Sequence, residues 1–187
     1  MNTAEPSDER DRLRRLTATP ELFAAIAAEA GTELQVQSRL RERFPPELVR
    51  MALEVGELRR KAAGRFSRAS DMWFTRQGLE QSTSETVALH KAQRFGGASG
   101  DDAVWDLCCG MGGDAIALTQ VREVLAVDAD PSQTLRTKLN VALYGGADRI
   151  STQVADVTTL DLTGRLVHID PERRAHGQRT LRLEGYA

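Results

Sequence analysis

The sequence predicts an α/β protein in which a helical domain precedes a parallel sheet. Apolar residues recur at helical spacing up to residue 97, whereas short apolar runs separated by helix-like stretches follow it. A polar, glycine-rich segment at 96–102 divides the two patterns. We expect a frayed tail over 1–17, a helical domain over 18–97 and a domain of alternating strands and helices over 98–187.

The composition limits the possible classes of protein. The 187 residues are 41% hydrophobic and 28% charged, which suits a folded, soluble domain. The first 15 residues mix both charges without an apolar stretch, and no apolar run approaches the ~20 residues of a membrane span. The two cysteines are adjacent, which argues against a disulfide framework or a cysteine-based zinc site. The expectation is a cytoplasmic protein without membrane association and without a metal.

The first two helices are predicted from their end signals. Pro20, preceded by Thr19, suits the first position of a helix that ends before Gly31. Thr32 followed by Gln35 forms a capping box for a second helix.

Two further helices complete the helical domain. Pro46 opens one that runs to about Ala63. Ser82 and Glu85 predict a capping box at the start of the last helix, after a less regular segment at 71–81. Six basic residues and one acidic residue lie within 59–76, which fits either a solvated helix face or a contact with a polyanion.

Four short apolar runs predict the strands of a parallel sheet. They lie at 103–107, 124–128, 150–156 and 166–170. In the expected order the fourth strand lies beside the first.

The turn after the first strand is the strongest candidate for a binding site. Asp106 lies in the strand, and a glycine-rich turn follows before the next helix begins near Asp114. Glycines let the backbone approach a ligand closely. The alternative is an ordinary tight turn between a strand and a helix.

Acidic residues at the ends of the next two strands are further candidates. Asp128 follows the second strand at a position where a carboxylate accepts hydrogen bonds from ribose hydroxyls. Asp130, just before Pro131, is expected to cap the next helix. Asp156 ends the third strand, where the edge of a base would lie.

Two ligand classes compete for this site. Read literally, Gly110, Gly112 and Ala115 satisfy the dinucleotide fingerprint. Asp106 would repel a pyrophosphate but attract a ligand that carries an ammonium and a sulfonium. The sign of the charge favours S-adenosylmethionine over NAD(P).

The motif Asp106-x-Cys108-x-Gly110-x-Gly112 resembles the first motif of class I, Rossmann-like methyltransferases that use S-adenosylmethionine. The family pattern has glycine where this chain has Cys108, a departure that resembles the RNA cap trimethylguanosine synthases. Further matches lie at 57–66, 74–83 and 169–174. Together these segments resemble the signature motifs of a bacterial group of these enzymes that has a C-terminal THUMP-like domain.

The resemblance implies roles for individual residues. Its cofactor-binding set comprises Gln81, Thr83, Asp106, Cys108, Gly110, Gly112, Asp128 and Asp156. Gln81 and Thr83 would close the methionine end, Asp128 would hold the ribose, and Asp156 would hold the adenine amino group.

On the acceptor side, Asp170 and Pro171 occupy the position where related enzymes hold an acceptor nitrogen, so they are the expected catalytic residues. Arg173 and Arg174 would bind substrate phosphates, or alternatively only cap a loop.

The implied function is methyl transfer from S-adenosylmethionine to RNA. A non-catalytic module that binds adenosylmethionine or RNA is one alternative, and an NAD(P)-binding oxidoreductase is a weaker one. The Rossmann-like family has seven strands, whereas four are predicted here, so we expect a C-terminally truncated chain. An uncovered fourth strand would then allow self-association.

Overall fold

The computed structural model describes residues 6–97, 103–170, 174–175 and 178–179. Its helices are α1 (Pro6–Thr17), α2 (Pro20–Ala28), α3 (Glu33–Leu40), α4 (Pro46–Ala62), α5 (Arg76–Gln81), α6 (Glu85–Gly96), α7 (Gly113–Leu118) and α8 (Pro131–Leu143). Its strands are β1 (Val104–Leu107), β2 (Val124–Asp128), β3 (Ile150–Val154), β4 (Leu166–Ile169), β5 (Arg174–Ala175) and β6 (Gln178–Arg179).

The expected parallel sheet is confirmed, with the strand order β3-β2-β1-β4. Val104 of β1 pairs with Val124 of β2 on one side and Leu166 of β4 on the other. The carboxyl ends of all four strands therefore meet along one edge of the sheet. The antiparallel pair β5-β6 is separate from this sheet. Self-association through β4 stays a prediction.

Residues 6–17 differ from the expected frayed tail because they form α1. Leu13 and Leu16, three positions apart, lie on one face of this helix and are fully buried. The helix packs against α4 and α8, and Glu9 forms an ion pair with the buried guanidinium of Arg136. Because most residues of this segment are charged, Leu13 and Leu16 did not indicate a helix in the sequence. Their packing against the distant helices α4 and α8 stabilises α1.

The capping box at Thr32 is confirmed, but the one at Ser82 is wrong. Gln35 and Thr32 exchange side-chain and backbone hydrogen bonds at the start of α3. Helix α6 begins at Glu85, and the carboxylate of Glu85 accepts hydrogen bonds from Ser67 instead. Ser82 follows α5, a short helix within the segment that we expected to be irregular. Glu85 therefore binds Ser67, which is 18 positions away, and does not form the predicted capping box with Ser82.

The helical region and the sheet share two of their three apolar cores. One core lies within the helices and includes Leu22, Leu40 and Val49. A second joins residues of α4 and α5 to residues of α7 and α8, and a third joins α6 to β1 and β2. The side chain of Asn140 in α8 also exchanges hydrogen bonds with the backbone of Trp73. Apolar packing and hydrogen bonds therefore cross the predicted division near residue 97.

Two arginines of the basic segment at 59–76 have structural roles. Arg59 donates hydrogen bonds to the carbonyl groups of Asp71 and Met72 and lies over the ring of Trp73. Arg65 donates to the carbonyl groups of Leu79 and Ser82. These contacts account for part of the basic segment without a polyanion.

Among the described residues, no helix has the length and the apolar character that a membrane span requires.

Candidate functional site

The turn from β1 to α7 contains three residues with left-handed backbone conformations. Gly110 and Gly112 have φ values of +54° and +86°, and Cys108 has a φ of +59°. A side chain at Gly112 would come within 3.0 Å of Thr137, whereas one at Gly110 would meet no atom of the described residues within 4 Å. Gly112 therefore allows close packing on α8, and Gly110 leaves its side of the turn open. Cys108 adopts a conformation that glycine favours.

Asp128 connects this turn to the end of β2. Its Oδ2 accepts a hydrogen bond from the backbone N–H of Gly110 at 2.9 Å, and its Oδ1 accepts one from the N–H of Asp130 at 2.9 Å. Burial raises the pKa of Asp128. Asp130 itself accepts a hydrogen bond from the N–H of Ser132 at 2.7 Å, which confirms the predicted cap of α8.

Asp106 lies in β1 and is almost completely buried, with 2% of its surface exposed. Burial raises its pKa from the ordinary 3.8 to about 7. Its Oδ1 lies 4.0 Å from Nε2 of His168, the residue opposite it in β4. Its Oδ2 is buried and accepts no hydrogen bond from any described residue. No described residue therefore offsets the cost of burying this oxygen.

Asp114, in the first turn of α7, lies between an ammonium group and an imidazole ring. Its Oδ2 is 3.0 Å from Nζ of Lys91 and 3.2 Å from Nε2 of His168. Although burial opposes ionisation, these contacts lower the pKa of Asp114. The same burial opposes the charged form of His168, but its contacts with Asp114 and Asp106 raise its pKa. Like Asp106, Asp114 has one buried oxygen, Oδ1, without a hydrogen-bond partner among the described residues.

Lys91 of α6 joins this group to the acceptor side. Its ammonium donates hydrogen bonds to Asp114, to Oγ1 of Thr83 at 2.9 Å and to Oδ2 of Asp170 at 3.0 Å. Burial works against its charge, but the two carboxylates raise the pKa of Lys91. The end of β1, the start of α7 and the end of β4 are thereby connected through one helix of the N-terminal region.

The sequence-predicted residues are distributed unevenly around this edge. Thr83 and Asp170 both contact Lys91. They belong to a charged cluster that also contains Lys91, Asp106, Asp114 and His168. Gln81 is exposed at the end of α5, and Asp156 is exposed after β3. Asp156 accepts hydrogen bonds from Thr158, which lower its pKa.

Three acceptor-side predictions cannot be placed. Pro171 and Arg173 lie outside the described residues, and of Arg174 only the backbone, in β5, is described.

Sequence reasoning missed Lys91, Asp114 and His168 as site residues. Asp114 lies in the turn motif itself, where its acidic side chain in the first helical turn was a usable signal. His168 pairs with Asp106 in the sheet, so strand order combined with side-chain alternation could have indicated it. Lys91 is 79 positions from Asp170, and no local pattern connects them.

Known proteins match both regions of the chain. Residues 101–176 match a family model described as RNA cap guanine-N2 methyltransferase, and residues 25–62 match a domain of unknown function. The chain is 33% identical over 142 residues to an uncharacterized S-adenosylmethionine-dependent methyltransferase found in two strains of Mycobacterium tuberculosis. This match covers 72% of the chain and 38% of the relative, so the chain spans well under half the length of these curated relatives.

The fold also matches a solved structure. A protein from Porphyromonas gingivalis that is assigned as a methyltransferase superposes with a TM-score of 0.55 at 18% identity, covering 93% of this chain and 43% of that one. The helices followed by a four-stranded parallel sheet are therefore an arrangement found in that structure as well.

Proposed function

We propose that this chain, a relative of the S-adenosylmethionine-dependent methyltransferases, binds S-adenosylmethionine at the carboxyl ends of β1 and β2 and supports methyl transfer to RNA. The observation that carries the proposal is the buried Asp106 carboxylate with its unpartnered Oδ2, directly before the open turn at Gly110. The curated relatives in Mycobacterium tuberculosis support it.

The charged cluster suits a cationic ligand. Asp106 and Asp114 each have a buried oxygen that accepts no hydrogen bond within the described part of the chain. An unpaired buried acceptor is costly, and a ligand ammonium would satisfy it. Asp114, whose pKa is lowered, and Asp106, once it loses its proton above about pH 7, would repel the pyrophosphate of a dinucleotide. This repulsion favours the proposal over an NAD(P)-binding oxidoreductase.

The turn and the strand ends would hold the remainder of the ligand. Each oxygen of Asp128 accepts one backbone hydrogen bond and retains acceptor capacity for ribose hydroxyls. Gly110 and Gly112, with Cys108 between β1 and the turn, would let the ligand lie against the backbone. Gln81 and Thr83 would close the methionine end, and the exposed Asp156 would reach the adenine amino group.

On the acceptor side, Asp170 would orient the nucleophile. When bound, S-adenosylmethionine supplies an activated methyl group, and its sulfonium becomes a neutral thioether once that methyl group is transferred. Asp170 would accept a hydrogen bond from the attacking group and stabilise the positive charge that develops on it. Pro171, which cannot donate a backbone hydrogen bond, would stiffen the loop. Correct positioning of this kind supplies on the order of 7–11 kcal/mol of the barrier.

RNA is the proposed acceptor because the matched family model is described as an RNA cap guanine-N2 methyltransferase. Arg173 and Arg174 would bind its phosphates through their forked donors. A non-catalytic module that binds adenosylmethionine is the competing proposal, and it requires the same cofactor contacts.

Two measurements test the proposal. Isothermal titration with S-adenosylmethionine, S-adenosylhomocysteine and NAD is expected to show binding of the first two only. Transfer of tritium from labelled S-adenosylmethionine to bacterial total RNA is expected above a no-protein control. Binding without transfer would favour the non-catalytic module, and binding of NAD alone would refute the proposed cofactor. Asp106→Asn is expected to weaken the binding of S-adenosylmethionine, because it removes the carboxylate that carries the proposal. Asp148→Asn, at an exposed carboxylate, is its matched control in the titrations.

A further inference from the structure

We propose that Lys91 is a positioning residue that fixes the carboxylate of Asp170 for methyl transfer and so connects the N-terminal helices to the acceptor side. This inference rests on the proposed function. It is carried by the position of the Lys91 ammonium between two carboxylates from different elements.

The three hydrogen bonds of Lys91 define the position of its ammonium group. An ammonium has three N–H donors, and Lys91 uses them on Thr83, Asp114 and Asp170. Thr83 precedes α6, Asp114 lies in the first turn of α7, and Asp170 follows β4. Lys91 lies on α6, which packs closely on α7, so these two helices fix the position of its ammonium group. The hydrogen bond from this group to Asp170 in turn restricts where the Asp170 carboxylate can lie.

Asp114 and Asp170 differ in how firmly they are held. Asp114 is 11% exposed and also contacts His168 at 3.2 Å. Asp170 is 33% exposed and lies one residue beyond the last residue of β4. The more exposed carboxylate is therefore the one with more room to move toward solvent.

Electrostatics predicts what happens without Lys91. The carboxylates of Asp114 and Asp170 each lie 3.0 Å from the same nitrogen, so they are close to one another. Asp106 adds a third acidic group, which the imidazole of His168 faces. With the ammonium removed, like charges repel and Asp170, the more exposed partner, moves toward solvent.

Such a movement affects transfer more than binding of the cofactor. Among the proposed contacts of S-adenosylmethionine, Asp106, Asp128 and the turn at Gly110 have their own supports in β1 and β2. Asp114 and Thr83 also touch Lys91, but without it they keep their hydrogen bond to each other, and Asp114 keeps its contact with His168. Misplacing an orienting group by about 1 Å can cost on the order of a hundredfold in rate. Lys91 is therefore expected to act on the transfer step.

The test compares Lys91→Met, which removes the charge at similar length, with Lys91→Arg, which keeps it. Lys138→Met is the matched control because Lys138 is exposed on α8. Single-turnover methyl transfer to bacterial total RNA at saturating S-adenosylmethionine is expected to fall by about tenfold to a hundredfold in Lys91→Met. The dissociation constant for S-adenosylmethionine is expected to change by less than about threefold, and Lys91→Arg recovers much of the rate.

A second measurement tests the contact without activity. The chain contains three lysines, so the side-chain resonances of ¹³C-labelled Lys91 can be followed through a pH titration by NMR. Asp170→Asn and Asp114→Asn are each expected to lower the pKa of Lys91, because each removes a carboxylate that raises it. Asp161→Asn, at an exposed carboxylate, is the control.

Three results would overturn the inference. The first is a Lys91 pKa that Asp170→Asn leaves unchanged. The second is a Lys91→Met variant that loses cofactor affinity as much as rate, since Lys91 would then belong to the cofactor site. The third is an unchanged rate in that variant. A wild-type chain that binds no S-adenosylmethionine refutes the proposed function instead, and the NMR titration then decides the contact by itself.

Discussion

The two ends of the candidate site are built in different ways. At the β1–β2 end, Gly110 and Asp128 contact each other through backbone and side chain only 18 positions apart in sequence. At the β4 end, Asp170 is held by Lys91, which is 79 positions away on a helix of the N-terminal region. The first end depends on a local strand-turn-helix unit, whereas the second depends on packing between regions. Substitutions at the two ends are therefore expected to separate cofactor binding from transfer.

The largest expected effect is at the β4 end. Asp170→Ala removes the proposed orienting carboxylate, so methyl transfer should fall by about a hundredfold or more. The affinity for S-adenosylmethionine should stay within about tenfold, ~1.4 kcal/mol, because the β1–β2 end is intact. Single-turnover transfer beside isothermal titration measures both quantities. Normal transfer by this variant would place the acceptor pocket elsewhere and remove the contrast between the two ends.

The next effect is the pH dependence of stability that arises from Asp106 and His168, which pair with each other on β1 and β4. Burial raises the pKa of Asp106 to about 7, so the folded protein binds its proton more tightly than the unfolded chain does. Stability is then lost as the pH rises from about 4 to about 7. His168 acts in the same direction, because its raised pKa gives a contribution that is present below about pH 6.5 and lost as the pH rises through the folded value.

Asp106→Asn removes the titration of that carboxyl group. The wild-type protein should lose on the order of 3 kcal/mol of unfolding free energy between about pH 5 and about pH 8, and Asp106→Asn should lose clearly less. Urea unfolding at the two pH values measures this difference. Equal losses in the two proteins would mean that Asp106 is ionised in the fold at both pH values.

The sequence predicted the features that depend on near neighbours. The four parallel strands, the glycine turn and the capping role of Asp130 all follow from residues a few positions apart, and the structure confirms them. The packing of α1 depends on where α8 lies, and the start of α6 depends on a contact between Glu85 and Ser67. Local patterns contain no information about such partners, which is why these features and the contacts of Lys91 came only from the structure.

A smaller effect is expected from the local end itself. Asp128→Ala removes the carboxylate that binds the Gly110 N–H and is proposed to hold the ribose, so it should weaken S-adenosylmethionine binding by about 2 kcal/mol, roughly thirtyfold. Isothermal titration measures the change, and Asp148→Asn serves as the exposed control. An unchanged affinity would assign the ribose contact to another residue and would show that the turn holds its shape without this anchor.

The smallest effect tests how far the turn is shaped by its own backbone. Cys108 has a φ of +59°, a conformation that costs a residue with a side chain about 1–2 kcal/mol and costs glycine almost nothing. Cys108→Gly removes that strain but also adds about 0.5–1 kcal/mol of backbone entropy to the unfolded chain. The variant should therefore be more stable by only about 0.5 kcal/mol, with unchanged affinity for S-adenosylmethionine.

The adjacent cysteine provides the matched control. Cys109 is buried and has no positive φ, so Cys109→Ala should lower stability because it removes a buried side chain and relieves no strain. Urea unfolding of both variants beside the wild type gives the comparison. If Cys108→Gly is instead destabilised as much as Cys109→Ala, the half-buried thiol of Cys108 stabilises the turn by packing, and the β1–β2 end depends on side-chain contacts just as the β4 end does.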